Sequence, residues 1–160
     1  MITHRGESLY TLKGLVGSGD KIASFTLPVL VIGIILNVLY PSAFSVGGPS
    51  ETLRMTSIAI LVSGLIVWAW SVVLILTRVP KKQLITTGPF AIVKHPLYTG
   101  VALLVVPWLG FLLDTWLGVV IGLVVYVGSR LYAPEEEAAL SRTYGAAWDH
   151  YTASVKIPWL

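Results

Sequence analysis

The chain has 160 residues, 55% of them hydrophobic and only 12% Asp, Glu, Lys or Arg, with a formal net charge of +3. Soluble domains carry roughly twice that charged fraction. Disorder, a coiled coil and a nucleic-acid-binding domain are therefore excluded, and nearly every soluble fold with them, because so few charges cannot wet a small domain's surface.

In chain order, residues 1–21 form an N-terminal segment carrying Arg5, Lys13 and Lys21, in which Leu9, Tyr10, Leu12 and Leu15 suit a short surface helix. No charge lies between Lys21 and Glu51, and 22–40 reads as a first membrane span, closed by a turn rich in Pro and Gly. No cleavable signal peptide is evident, so this span is expected to act as an uncleaved anchor. The charge-free stretch between Arg54 and Arg78 makes 53–76 a second span. Residues 97–113 and 116–131 are a third and fourth, both near the short limit. They are either two crossings or one re-entrant hairpin. Asp114 favours crossings, since a carboxylate at mid-membrane depth costs several kcal/mol and here it marks the apex of a turn.

Gly110, Gly118, Gly122 and Gly128 provide small faces for close packing, and Pro28 and Pro107 are expected to bend their helices. Pro134 followed by Glu135, Glu136 and Glu137 predicts a helix start, with Leu140, Tyr144, Trp148, Tyr151 and Val155 along one face of 134–155. The fold class is thus an all-α integral membrane protein, one membrane domain of about four transmembrane helices plus a C-terminal amphipathic interfacial helix. That last helix is either a plain anchor or a cover over a site. Basic residues cluster before the first span, between Arg78 and Lys94, and after the fourth. The positive-inside rule then places both termini and the 78–95 loop in the cytoplasm of a multi-pass protein of the inner membrane.

Two polar clusters share the cytoplasmic side. In the first, Lys94 and His95 precede Pro96, which suits the first turn of the third span. The free amides after Pro96, at Leu97 and Tyr98, would favour an anionic group, and Gly100 leaves room for a ligand. Alternatively, Lys94 and His95 are ordinary interfacial residues and Gly100 packs helices. The second cluster is Glu135 to Glu137, answered either by Arg130 and Arg142 or by a cationic ligand. Together the clusters suit a zwitterionic ligand with a flat ring. The histidines, His4, His95 and His150, have no ligand spacing, so no metal is expected. No hydrolase nucleophile motif or phosphate-binding Gly-rich loop occurs either.

Gly88-Pro89-Phe90, Lys94-His95-Pro96-Leu97-Tyr98-Thr99-Gly100, and Glu136-Glu137 followed by Leu140, Tyr144-Gly145, Trp148, Tyr151 and Pro158 resemble the isoprenylcysteine carboxyl methyltransferase family. Related phospholipid N-methyltransferases share much of this pattern. The resemblance covers about half the chain, from Leu84 to Pro158. It implies an integral-membrane enzyme that binds S-adenosylmethionine at the cytoplasmic end of its last helices. His95, Pro96, Tyr98 and Gly100 would line the cofactor site, and Glu136 and Glu137 would face its cationic part. Lys94 stands where the family has Arg, keeping the charge without the bidentate fork. Trp148 replaces a Tyr, keeping the ring without the hydroxyl.

On this reading Lys94, His95 and the His95–Tyr98 helix start hold the cofactor's carboxylate, and Tyr144 and Trp148 help cover its adenine. Arg130 or Arg142 would orient a lipophilic acceptor entering from the bilayer lipid. Partners are membrane lipids and that acceptor, with no nucleic acid. A non-enzymatic membrane subunit and a reductase akin to sterol reductases are the competing readings.

Overall fold

The computed structural model describes residues 18–158, and every regular element among them is helical. Besides two 3-10 turns (Val79–Lys81 and Gly88–Ala91), they are α1 (Gly19–Leu39), the single turn α2 (Pro41–Phe44), α3 (Glu51–Arg78), α4 (Pro96–Leu112), α5 (Leu117–Tyr144) and α6 (Ala146–Ser154). The expected surface helix around Leu9–Leu15 lies outside the described residues.

α1, α3 and α5 are long and apolar enough to cross a membrane. α3 begins at Ser50, whose hydroxyl accepts from the Leu53 amide at 3.2 Å, with Glu51 in the first turn and Arg78 in the last complementing the helix dipole. α4 is shorter, and its Val101–Val105 segment is widened to a π-turn just ahead of Pro107. A proline offers no amide to the preceding turn, and the widening accommodates that loss.

Lipid tails give no hydrophobic drive between helices, so contact depends on close approach. α3 turns Ser57, Gly64 and Ser71 inward, where they are buried. On the α4–α5 seam, a β-carbon added at Gly118 would lie 2.6 Å from the Val106 carbonyl oxygen, and one at Gly110 would lie 2.7 Å from Gly118 Cα. The outer surface is Leu, Ile, Val and Trp, as lipid contact demands.

α1 lies along α5, and α3 along α4, while α1 and α3 make at most marginal contact. At one end of the bundle, the Asp114 carboxylate accepts from Ser45 Oγ (2.7 Å), the Gly48 amide (2.9 Å) and the Val46 amide (3.1 Å). The Ser45 hydroxyl and these amides hold its carboxyl below the usual carboxylate range. The α4–α5 turn therefore meets the α1–α3 connection, and α4 runs from one end of the bundle to the other.

The C-terminal region differs from expectation. No helix starts at Pro134: α5 continues through it to Tyr144, and the break comes at Gly145. With φ +51° and ψ −127°, Gly145 adopts a backbone that side chains disfavour. Ser18 and the first turn of α1 contact α5 on either side of the proline. Ser18 Oγ donates to the Tyr132 carbonyl (3.0 Å), and Lys21 pairs with Glu135. Nor does α6 offer its aromatic face to lipid headgroups. Trp148, Tyr151 and Val155 are buried together, packed against Leu84, Leu140 and Tyr144.

Candidate functional site

The connection from Val79 to His95 returns to the end where α1 begins. Gly88 turns the chain with φ +63°, and a β-carbon there would press against the Trp70 ring at 3.1 Å. His95 precedes a proline and is kept out of the helical region, at φ −124° and ψ 64°. Pro96, fully buried, then starts α4. The His95 ring stacks on Tyr98 with centroids 5.9 Å apart.

Successive residues on a helix point about 100° apart, and the three glutamates are divided accordingly. Glu135 pairs with Lys21 in solvent. Glu136 accepts from the Ser18 amide (3.4 Å) and the Tyr98 hydroxyl (3.5 Å). Glu137 accepts from Lys94 Nζ (2.6 Å) and His95 Nε2 (3.0 Å) on the same oxygen. The Lys94 and His95 side chains are only 14% and 10% exposed, so this is a shielded clamp rather than a surface ion pair.

These groups close one end of a cavity of about 750 Å³. Lys94, His95, Tyr98, Glu136, Gln83 and Thr143 supply its polar wall, and Phe90, Tyr144, Trp148 and Tyr151 its aromatic roof. Tyr151 donates to the Phe90 carbonyl at 2.9 Å, and burial, with Glu137 nearby, pushes its hydroxyl up to about 12. The chain beyond α6 ties down the same turn, with the Ile157 amide donating to the Ile92 carbonyl at 2.8 Å. From the polar end the cavity continues as an apolar groove between α1 and α3, past Leu27, Leu30, Val72 and Trp68. A carboxylate, a helix start and flat rings at one end, with aliphatic walls at the other, suit a polar zwitterion beside a lipophilic molecule.

The model of the isoprenylcysteine carboxyl methyltransferase (ICMT) family matches residues 51–142, more than half of the chain. The chain belongs to the ICMT family. Membership implies methyltransferase activity in a membrane. No curated protein and no solved structure matches the chain. The ICMT match spans α3, α4 and nearly all of α5, hence the His95 and Glu136–Glu137 walls, while α1 and α6 lie outside it.

Of the residues singled out in the sequence, Lys94, His95, Pro96, Leu97, Tyr98, Glu136, Tyr144 and Trp148 all line this one cavity. Glu137 stands behind the wall, holding Lys94 and His95. Three expectations are corrected. Gly100 faces α3, where an added β-carbon would lie 3.8 Å from Val67, and so serves helix packing rather than the ligand. Arg130 and Arg142 are exposed and do not line the cavity. Among the described residues, Lys21 answers Glu135, and Lys94 and His95 answer Glu137.

Gln83, Thr143 and Tyr151 also line the cavity. Tyr151 was readable as Trp148's neighbour on one helix face. Gln83 and Thr143 carried no signal, since only the folding of the loop and α6 over α5 makes them wall residues.

Proposed function

We propose that this ICMT-family protein transfers a methyl group from S-adenosylmethionine to a lipophilic acceptor at the cytoplasmic membrane face. The reading rests on one observation: a polar pocket lined by His95 and Glu136 opens directly into an apolar groove between two helices that barely touch. Four crossings, with α4 as the third, and cytoplasmic termini complete the proposed topology. The basic loop, the start of α1 and the end of α5 share one end of the bundle, opposite Asp114.

The residues present fit the cofactor. Glu136 lines the cavity, and the contacts resolved for its carboxylate are to neutral donors, leaving its charge to answer an ammonium. The positive end of the α4 dipole lies at the same wall for a carboxylate. The cavity volume falls within the range of about 300–1,000 Å³ typical of small-molecule sites. When bound, the cofactor supplies a sulfonium methyl for in-line displacement by the acceptor's nucleophile. The protein's part is proximity, alignment and exclusion of water. Glu137 fixes Lys94 and His95 at the wall. Trp148 and Tyr144 cover the pocket from solvent. The gap between α1 and α3 admits the acceptor from the bilayer.

The test uses purified protein in lipid nanodiscs, supplied with methyl-tritiated S-adenosylmethionine and a lipid extract. Tritium is expected in the organic phase with wild type, and at least tenfold less with Glu136→Gln. Absence of transfer by wild-type protein that also fails to bind S-adenosylhomocysteine would overturn the reading.

A further inference from the structure

One oxygen of Glu137 accepts from both Lys94 Nζ (2.6 Å) and His95 Nε2 (3.0 Å). A carboxylate only accepts, so Nε2 carries a proton. Lys94 already balances the charge of Glu137, and the clamp therefore needs His95 only as a neutral donor. In a neutral imidazole with its proton on Nε2, Nδ1 holds a bare lone pair. The ring is held in place, since Tyr98 stacks on it with planes 23° apart and buried Pro96 follows it in the chain. Among the described residues Nδ1 has no hydrogen-bond partner. Nor is it sealed from its surroundings: the buried side-chain polar atoms that lack a partner there are Thr26 Oγ1 and Ser57 Oγ. Nδ1 is therefore open, on a residue that lines the cavity. A lone pair at that wall repels a carboxylate and accepts from an X–H group.

We propose that neutral His95, oriented by Glu137, is the general base of the transfer, and that the acceptor is a lipophilic thiol rather than a carboxylate. This rests on the methyltransferase reading above and names its substrate class more narrowly. A carboxylate is already ionised and needs no base. A thiol ionises near pH 8.5 and an alkylammonium near about 10.4, so the thiol yields its proton to an imidazole more readily, and it brings no second cation beside Lys94. In the step, an electron pair of the thiol sulfur forms the new bond to the methyl carbon. The bond from that carbon to the sulfonium sulfur breaks, and its pair stays on that sulfur as a neutral thioether. The S–H proton passes to His95 Nδ1 and leaves to water afterwards, and nothing is oxidised or reduced. Glu137 is the positioning residue: it fixes the tautomer and faces the imidazolium while it lasts.

The test gives nanodisc-embedded protein, at neutral pH with methyl-tritiated S-adenosylmethionine, three acceptors: dodecanethiol, 4-octylthiophenol and dodecanoate. The thiophenol is largely ionised before it binds. Wild type is expected to methylate dodecanethiol at least tenfold faster than dodecanoate. His95→Gln keeps an N–H for Glu137 but takes up no proton. It should lower kcat at least about a hundredfold with dodecanethiol and less than about tenfold with the thiophenol, with S-adenosylhomocysteine affinity little changed. A second readout needs no turnover. Nitrogen-15 NMR of histidine-labelled wild type, with the His95 signals identified by their absence in His95→Gln, should show a protonated Nε2 and a bare Nδ1. Added dodecanethiol should shift chiefly Nδ1. A proton on Nδ1 in the free protein, an equal loss with both thiols in His95→Gln, or no preference for the thiols over dodecanoate while S-adenosylhomocysteine still binds would overturn the base and leave the methyltransferase reading standing. Wild type that binds no S-adenosylhomocysteine and methylates none of the three would instead strike that reading itself.

Discussion

Glu136 and Glu137 are neighbours with different work, and their substitutions should separate. Glu137→Gln removes the carboxylate charge that the shielded Lys94 and His95 share, so the clamp weakens by about 1–3 kcal/mol. The thermal midpoint in detergent should drop by several degrees, with a secondary loss of S-adenosylhomocysteine affinity. Glu136→Gln removes a charge whose resolved partners are neutral donors. It should cost at least tenfold in affinity with little change in midpoint. Equal effects of both would contradict the division. Tyr151→Phe frees the Phe90 carbonyl and should cost about 1 kcal/mol. With its hydroxyl raised to about 12 by burial, Tyr151 stabilises the fold fully below about pH 10. That contribution declines as pH rises toward 12. Alkaline unfolding of Tyr151→Phe should lack it.

At the scale of elements, the three long apolar helices were legible because hydropathy over about twenty residues marks them. Gly110, Gly118 and Gly122 lie on the α4–α5 seam, where close packing requires small residues. Gly118→Ala puts a methyl against the Val106 carbonyl and should destabilise by about 1–3 kcal/mol, measured by thermal unfolding in detergent. The Asp114 turn makes a second prediction. Its carboxyl is held below the ordinary range, so its contribution is present above about pH 4 and is lost as pH falls further. Asp114→Ala should unfold at lower temperature at neutral pH and show a flatter acid limb. The start of the last helix was misread because Pro134 and three acids are local signals of a helix N-terminus. What overrules them is tertiary: Ser18 and Lys21 hold α5 on either side of the proline, a contact 114 residues apart in sequence.

For the molecule as a whole, the sequence located the polar pole of the site but not the groove attached to it. His95 and the glutamates could be placed together because both clusters flank spans on one side. The groove is a property of two helices failing to pack, and neither α1 nor α3 carries a local mark of that. The central claim is that this pole holds a charged methyl donor, and calorimetric titration of nanodisc-embedded protein with S-adenosylhomocysteine tests it most directly. One-to-one binding is expected, weakened at least tenfold by Glu136→Gln and within twofold of wild type in Arg142→Ala. No binding by wild type, or binding indifferent to Glu136→Gln, would contradict the account.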